Sequence, residues 1–299
     1  MSDLSNSQVW FITGASSGLG KSLLEALLAE GSRAVATVRK PDALSDLQAK
    51  YKPEQLLVVT LDVMNPSQIE EAFRRTKEHF QRLDVVVNNA GYGLMGEIEM
   101  TPEDLARQQI EVLFWGPVHA IPFFREVNPK GHGGRILNIS SAGGYSANAT
   151  LAFYSAGKFA LEGFTQAFTR EMPPEWNIKG IIIEPGGFQT GWRDANLVHA
   201  PAHPAYGPDS PGAKFRNMAF TTSYIGDIHK AAQAMIRIAR EPDPPLRLQL
   251  GTDSFGIVAH RANATLKEQE RWAELSHSTN LDGFGTGPEI LEAIKEALD

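Results

Sequence analysis

At 299 residues, 42% apolar and 21% charged, the chain is long enough to bury a large core and is not a disordered polypeptide. Its net charge of −7 leaves no footprint for nucleic acid, and the basic pair Arg74-Arg75 reads as a solvated helix face. With no cysteine, disulfides, thiolate zinc sites and thiol catalysis are excluded. The first residues, Met1 to Ser7, lack the pattern of a secretory leader, and no run reaches the roughly 18 apolar residues of a membrane span. These features predict a cytoplasmic protein without membrane contact.

Seven short β-rich runs, 9–13, 33–38, 56–60, 84–88, 134–140, 178–184 and 247–250, alternate with longer helix-like stretches. Val85-Val86-Val87 and Ile181-Ile182-Ile183 are apolar without alternation, as expected of parallel strands covered on both faces. The pattern predicts a Rossmann-type, doubly wound α/β fold with a seven-stranded parallel sheet. The first helix, 18–30, carries Leu23, Leu24, Leu27 and Leu28 at helical spacing and stops at Gly31. Further on, Pro102 opens a helix whose continuation meets Pro117 and Pro122, so a kink or break is expected. Residues 185–222 are rich in Pro, Gly and aromatics and read as a long irregular lid. A helix at 225–240 and the last strand follow. The predicted division is a dinucleotide-binding and catalytic domain, 1–251, with its lid at about 186–224, and a helical extension, 252–299, packed on the same domain. The extension centres on helices at 262–277 and 288–298. His199 and His203 are separated by Pro201 and read as loop residues, so no metal site is assigned.

The first strand runs into Thr13-Gly14-Ala15-Ser16-Ser17-Gly18-Leu19-Gly20 and then a helix. This aims backbone N–H groups and the positive end of a helix dipole at a bound anion; a pyrophosphate suits such a site, although glycines alone also make tight turns. At the end of the second strand stands Arg39, where a carboxylate would select the 2′-hydroxyl of NAD. A guanidinium there favours the 2′-phosphate of NADP, with NAD the less favoured cofactor; the alternative is an ordinary solvent-exposed arginine.

Five elements in order make the chain resemble the short-chain dehydrogenase/reductase family over residues 8 to about 251. They are the glycine segment, Leu61-Asp62-Val63, Asn88-Asn89-Ala90-Gly91, the set Ser141, Tyr154 and Lys158, and Pro185-Gly186-Gly187-Phe188-Gln189-Thr190. The resemblance implies a cofactor across the carboxyl ends of the strands. Gly14, Ser16, Ser17, Gly18, Leu19 and Gly20 would hold its phosphates, Asp62 and Val63 its adenine, and Asn89, Ala90 and Gly91 its adenine-side ribose. Pro185, Gly186, Phe188 and Thr190 would hold the nicotinamide end. Tyr154 is the expected proton donor, Ser141 holds the substrate oxygen, and Lys158, one helical turn away, also contacts the cofactor's ribose and lowers the phenol's pKa.

The family usually has an asparagine on the helix after the fourth strand that holds a water in a proton relay; alignment on Gly116 puts Leu113 there. The PG-G-F-x-T run, the lid and the extension look most like the branch holding hydroxysteroid dehydrogenases and NADP-preferring ketone reductases. Phe188, Trp192, Tyr206, Phe215, Met218 and Phe220, with Tyr92, Leu94 and Tyr145, suit a small apolar or aromatic carbonyl substrate or else pack the lid onto the body. In the family the helix 152–172 often pairs across a homodimer or homotetramer. The leading expectation is an NADP(H)-dependent carbonyl reductase or alcohol dehydrogenase. A second is an NADP(H)-binding redox sensor with weak or no turnover.

Overall fold

The structure, a computed structural model, describes residues 7–129, 131–284 and 292. Seven strands form one sheet: β1 (Val9–Thr13), β2 (Arg33–Val38), β3 (Leu56–Thr60), β4 (Val85–Asn88), β6 (Gly134–Ile139), β7 (Ile178–Pro185) and β9 (Arg247–Leu250). They lie in the order β3-β2-β1-β4-β6-β7-β9, every neighbouring pair parallel. The chain winds outward one way from β1 and the other way from β4, so the crevice beyond the carboxyl ends of these two strands is the switch point where α/β sheets take ligands.

Alternate residues of each buried strand serve two cores. Trp10 and Ile12 face Leu23, Leu24 and Leu27 of α1 (Gly18–Ala29) and Met235 and Ile236 of α8 (Ile228–Ala239). Val9 and Phe11 face Ile69 and Phe73 of α3 (Pro66–Phe80), Phe124 of α5 (Gly116–Val127) and Phe168 of α6 (Ala152–Glu171). Phe11 and Phe73 stack with centroids 4.4 Å apart. Burial on both faces is why these strands read as unbroken apolar runs.

The expected break near Pro117 takes a specific form. Between α4 (Glu103–Ile110) and α5 lies one π-helical turn, Glu111–Trp115, with Pro117 at the start of α5 and Pro122 inside it. Such turns insert one residue and re-aim the side chains around it, often beside functional sites.

The lid is more ordered than its composition predicts. Its strand β8 (Leu197–His199) pairs in parallel with β5 (Gly93–Met95), and α7 (Pro211–Thr221) follows. Arg216 on α7 pairs with the buried Glu97 at 2.5 Å, and Tyr206 donates to Glu99 at 2.9 Å. The short helix α2 (Ser45–Lys50) lies between β2 and β3.

The first compact unit ends at Ile257, beyond the predicted boundary at 251, because the start of α9 (Thr252–Arg271) is bonded into the sheet. Ser254 donates to the Glu184 carbonyl at 2.7 Å, and Asp253 accepts from the Gly187 N–H at 2.6 Å. The second unit, Val258–Asp299, holds the remainder of α9 and α10 (Ala273–His277), so the predicted helix 262–277 is two helices. The predicted helix 288–298 lies outside the described residues. Among the described residues no helix is long and apolar enough to cross a membrane.

Candidate active site

Thr13 ties the ends of β1 and β4 together. Its hydroxyl donates to the Val87 carbonyl at 3.3 Å and accepts the Asn89 and Ala90 N–H groups at 2.9 and 3.0 Å. The Asn89 carboxamide returns the link, donating to the Thr13 and Gly14 carbonyls at 2.9 and 3.1 Å. Gly14 and Gly18 turn the chain with φ of 65° and 56°, a region that costs a side chain about 1–2 kcal/mol. Ser17 caps α1 without a side-chain hydrogen bond, and no acidic residue stands in the first turn. The amides of that turn therefore point to an anion site with nothing negative beside it, which fits a pyrophosphate.

At the adenine side, Asp62 turns the chain after β3 by accepting the Met64 N–H at 3.0 Å, and Val63 packs against Gly116, where an added Cβ would meet it at 3.0 Å. Arg39 is exposed just past β2, and among the described residues no ion-pair partner holds it. A 2′-phosphate suits that position.

The residues expected to be catalytic converge from β6 and α6. Ser141 follows β6 and caps a short turn, accepting the Gly143 N–H at 3.0 Å. Tyr154 and Lys158 lie one turn apart on α6, only 8% and 5% exposed. Burial pushes the Tyr154 phenol above its ordinary value, and the neighbouring Ser141 hydroxyl opposes this. The Lys158 ammonium lies 5.8 Å from the Tyr154 ring centre and donates to the Ile139 carbonyl at 2.6 Å. Burial in turn pushes Lys158 down to about 8, against the attraction of Glu162.

The nicotinamide side is assembled from distant segments. β7 ends at Pro185, Gly186 and Gly187 lie against Asp253, and Phe188 is buried in a bridge to Gly226. Thr190 accepts the Trp192 N–H at 3.3 Å and closes on the glycine loop, where a Cβ on Gly18 would meet its side chain at 3.3 Å. Trp192 meets Tyr154 edge to face, centroids 5.9 Å apart. Of the residues expected at the mouth, Phe215 packs against the cluster that holds Tyr154, whereas Tyr206, Met218 and Phe220 are exposed. Asp253 was not legible in the sequence, because only the fold brings it to Gly187.

Leu113 sits in the π turn, 1% exposed, in a cluster with Met95, Leu151, Tyr154 and Leu197. An added Cβ on Gly91 would meet it at 2.9 Å and Lys158 Nζ at 3.9 Å, so an apolar side chain occupies the space beside the lysine. Leu113→Asn is expected to bury an amide without partners, costing about 1–3 kcal/mol. Melting temperature and kcat check it: a lower Tm with no gain in kcat is the expected result, and a clear gain would mean that proton delivery is limited by this position.

The sequence matches the family described as short chain dehydrogenase over residues 8–198. An uncharacterized oxidoreductase of Schizosaccharomyces pombe is 38% identical over 295 residues, 96% of this chain and 96% of that protein. The crystal structure of a short-chain dehydrogenase from Streptomyces avermitilis superposes with a TM-score of 0.84 at 32% identity, over 94% of this chain and 100% of that one. A short chain dehydrogenase from Burkholderia cenocepacia, crystallised with NADP, shares the fold with a TM-score of 0.67 at 24% identity, over 89% of this chain and 98% of that one.

Proposed function

The chain belongs to the short-chain dehydrogenase/reductase family and is an NAD(P)-dependent oxidoreductase, and we propose that it interconverts a ketone or aldehyde and the corresponding alcohol with NADP(H). The observation that carries this reading is the buried Tyr154, beside Ser141 and one turn from Lys158 at the carboxyl end of β6. When bound, the nicotinamide supplies or removes the hydride.

In reduction Tyr154 gives its proton to the substrate oxygen. Its raised pKa keeps the phenol protonated at neutral pH, the form a donor requires. The Ser141 hydroxyl donates to the same oxygen and stabilises negative charge as it develops. Trp192, Leu113, Met95, Leu151 and Leu197 enclose the phenol in apolar surface, which favours an apolar or aromatic carbonyl compound and excludes water. The protein is read as cytoplasmic, and α6, with Phe159 exposed on it, suits pairing into a homodimer or homotetramer. A panel of carbonyl compounds, assayed with NADPH and NADH side by side, tests the activity.

A second reading is an NADP(H)-binding redox sensor, favoured by Leu113, which puts apolar surface beside Lys158. NADPH binding without turnover of any carbonyl compound would support it.

NADP preference rests on Arg39. Arg39→Asp is expected to move the ratio of kcat/KM for NADPH over NADH toward NADH by at least about tenfold, the equivalent of about 1.4 kcal/mol of lost phosphate contact. An unchanged ratio would remove Arg39 from the cofactor site.

A further inference from the structure

A second buried cluster, which the proposed chemistry does not use, lies beside Lys158. Glu162, one turn beyond Lys158, is 3% exposed, and its Oε1 accepts the Ser140 hydroxyl at 2.5 Å. A Cβ on Gly144 would overlap both Ser140 Oγ and Glu162 Oε1 and lie 3.0 Å from Lys158 Cβ, so the carboxyl is packed beside the root of the lysine side chain. Glu184 of β7 is fully buried, and its carboxyl interacts with that of Glu162. Arg247 of β9 reaches both acids, its Nε 3.5 Å from Glu162 and 3.6 Å from Glu184. Gln249 of β9 donates to Glu184, and Ser254 at the start of α9 binds the Glu184 carbonyl.

The charges in this cluster do not balance when every group is ionised as in water. Two carboxylates face one guanidinium, and Lys158 stands one helical turn from Glu162. Two buried carboxyls in contact do not both ionise readily, so the pair retains a proton well above the usual carboxylate range; burial is the largest cause for each acid, and Arg247 opposes it. With one proton held, the pair and Arg247 are neutral together. Once that proton leaves, the extra negative charge has Lys158 as its neighbouring counter-ion.

We infer that Glu162, Glu184 and Arg247 are positioning residues that set the charge state of Lys158 from the buried side of α6. The inference rests on the catalytic reading of Lys158. The electrostatic arrangement itself is independent of turnover.

The test follows Lys158 directly, using protein labelled with 13C at lysine Cε and assigning the resonance as the one missing from Lys158→Arg. Glu162→Gln removes a carboxylate and is expected to lower the Lys158 titration midpoint by about one pH unit. Arg247→Met leaves the two acids without their guanidinium and is expected to raise it by a similar amount, with Arg247→Lys returning it toward the native value. Glu184→Gln repeats the first arm should Glu162→Gln fail to fold. Shifts of opposite sign in the two arms support the inference, because general loosening of the site would move both the same way. Midpoints within about 0.3 unit of the native value in both arms, or shifts of one sign, overturn it. The basic limb of the kcat/KM profile is expected to follow the same displacements. Absence of turnover with every carbonyl compound would instead defeat the reductase reading and leave the resonance titration interpretable.

Discussion

Tyr154→Phe is expected to lower kcat by at least about a hundredfold while NADPH affinity stays within about threefold. The substitution removes one oxygen and keeps the ring, which packs with Met95, Leu113, Leu151 and Leu197 and meets the edge of Trp192. The ring's packing is therefore preserved, and Tm should change little. What is lost is the proton donor. Ser141 remains as a donor to the substrate oxygen, but its hydroxyl also accepts the Gly143 N–H, and it supports charge without surrendering a proton at neutral pH. Steady-state rates on the best carbonyl substrate, alongside fluorescence titration with NADPH, separate the two quantities. Near-native turnover would sink the mechanism, whereas equal loss of turnover and binding would point to a disturbed site.

The strands of the sheet, and the spacing that brings Ser141, Tyr154 and Lys158 together, were legible because both are local in sequence. All seven predicted strands lie in the main sheet within a residue of their expected ends, since burial on two faces leaves unbroken apolar runs. The glycine segment and the pair Tyr154 and Lys158 likewise carry their geometry in their spacing. What escaped depends on contacts between distant residues. β5 and β8 are three residues each and form only by pairing Gly93 with Leu197 and Met95 with His199, so neither run has a pattern of its own. The lid read as irregular because its order comes from Arg216 reaching Glu97 and Tyr206 reaching Glu99. Glu162 belongs to no motif in the sequence; only β7 and β9, with Glu184 and Arg247, make its burial visible. Leu113 could be placed by alignment, but a π turn and an α turn share nearly the same apolar spacing, and the turn itself was not visible.

Gly20→Ala is expected to lower Tm by several degrees and weaken NADPH binding by at least about tenfold, from overpacking of about 1–3 kcal/mol. The position lies inside α1, where alanine is ordinarily the better helix former by about 1 kcal/mol. Here its Cβ would overlap Asn89 Nδ2 and stand 2.6 Å from the Gly14 carbonyl oxygen. The asparagine can rotate, but it would then release the Thr13 and Gly14 carbonyls that it holds at 2.9 and 3.1 Å. The Gly14 oxygen belongs to the backbone of the phosphate loop and can only move by opening that loop. Asn89→Ser in the Gly20→Ala background should therefore restore part of the lost stability and little of the cofactor affinity. Gly163→Ala is the matched control, since Gly163 is an exposed glycine of α6 whose added Cβ would meet nothing within 4 Å. That substitution should be neutral or stabilising by about 0.4–1 kcal/mol. Thermal melts and NADPH titrations of the two single variants decide the matter: if Gly20→Ala behaves like Gly163→Ala in both, the loop is not held by the contact between Gly20 and Asn89, and the glycine there reflects only helix geometry.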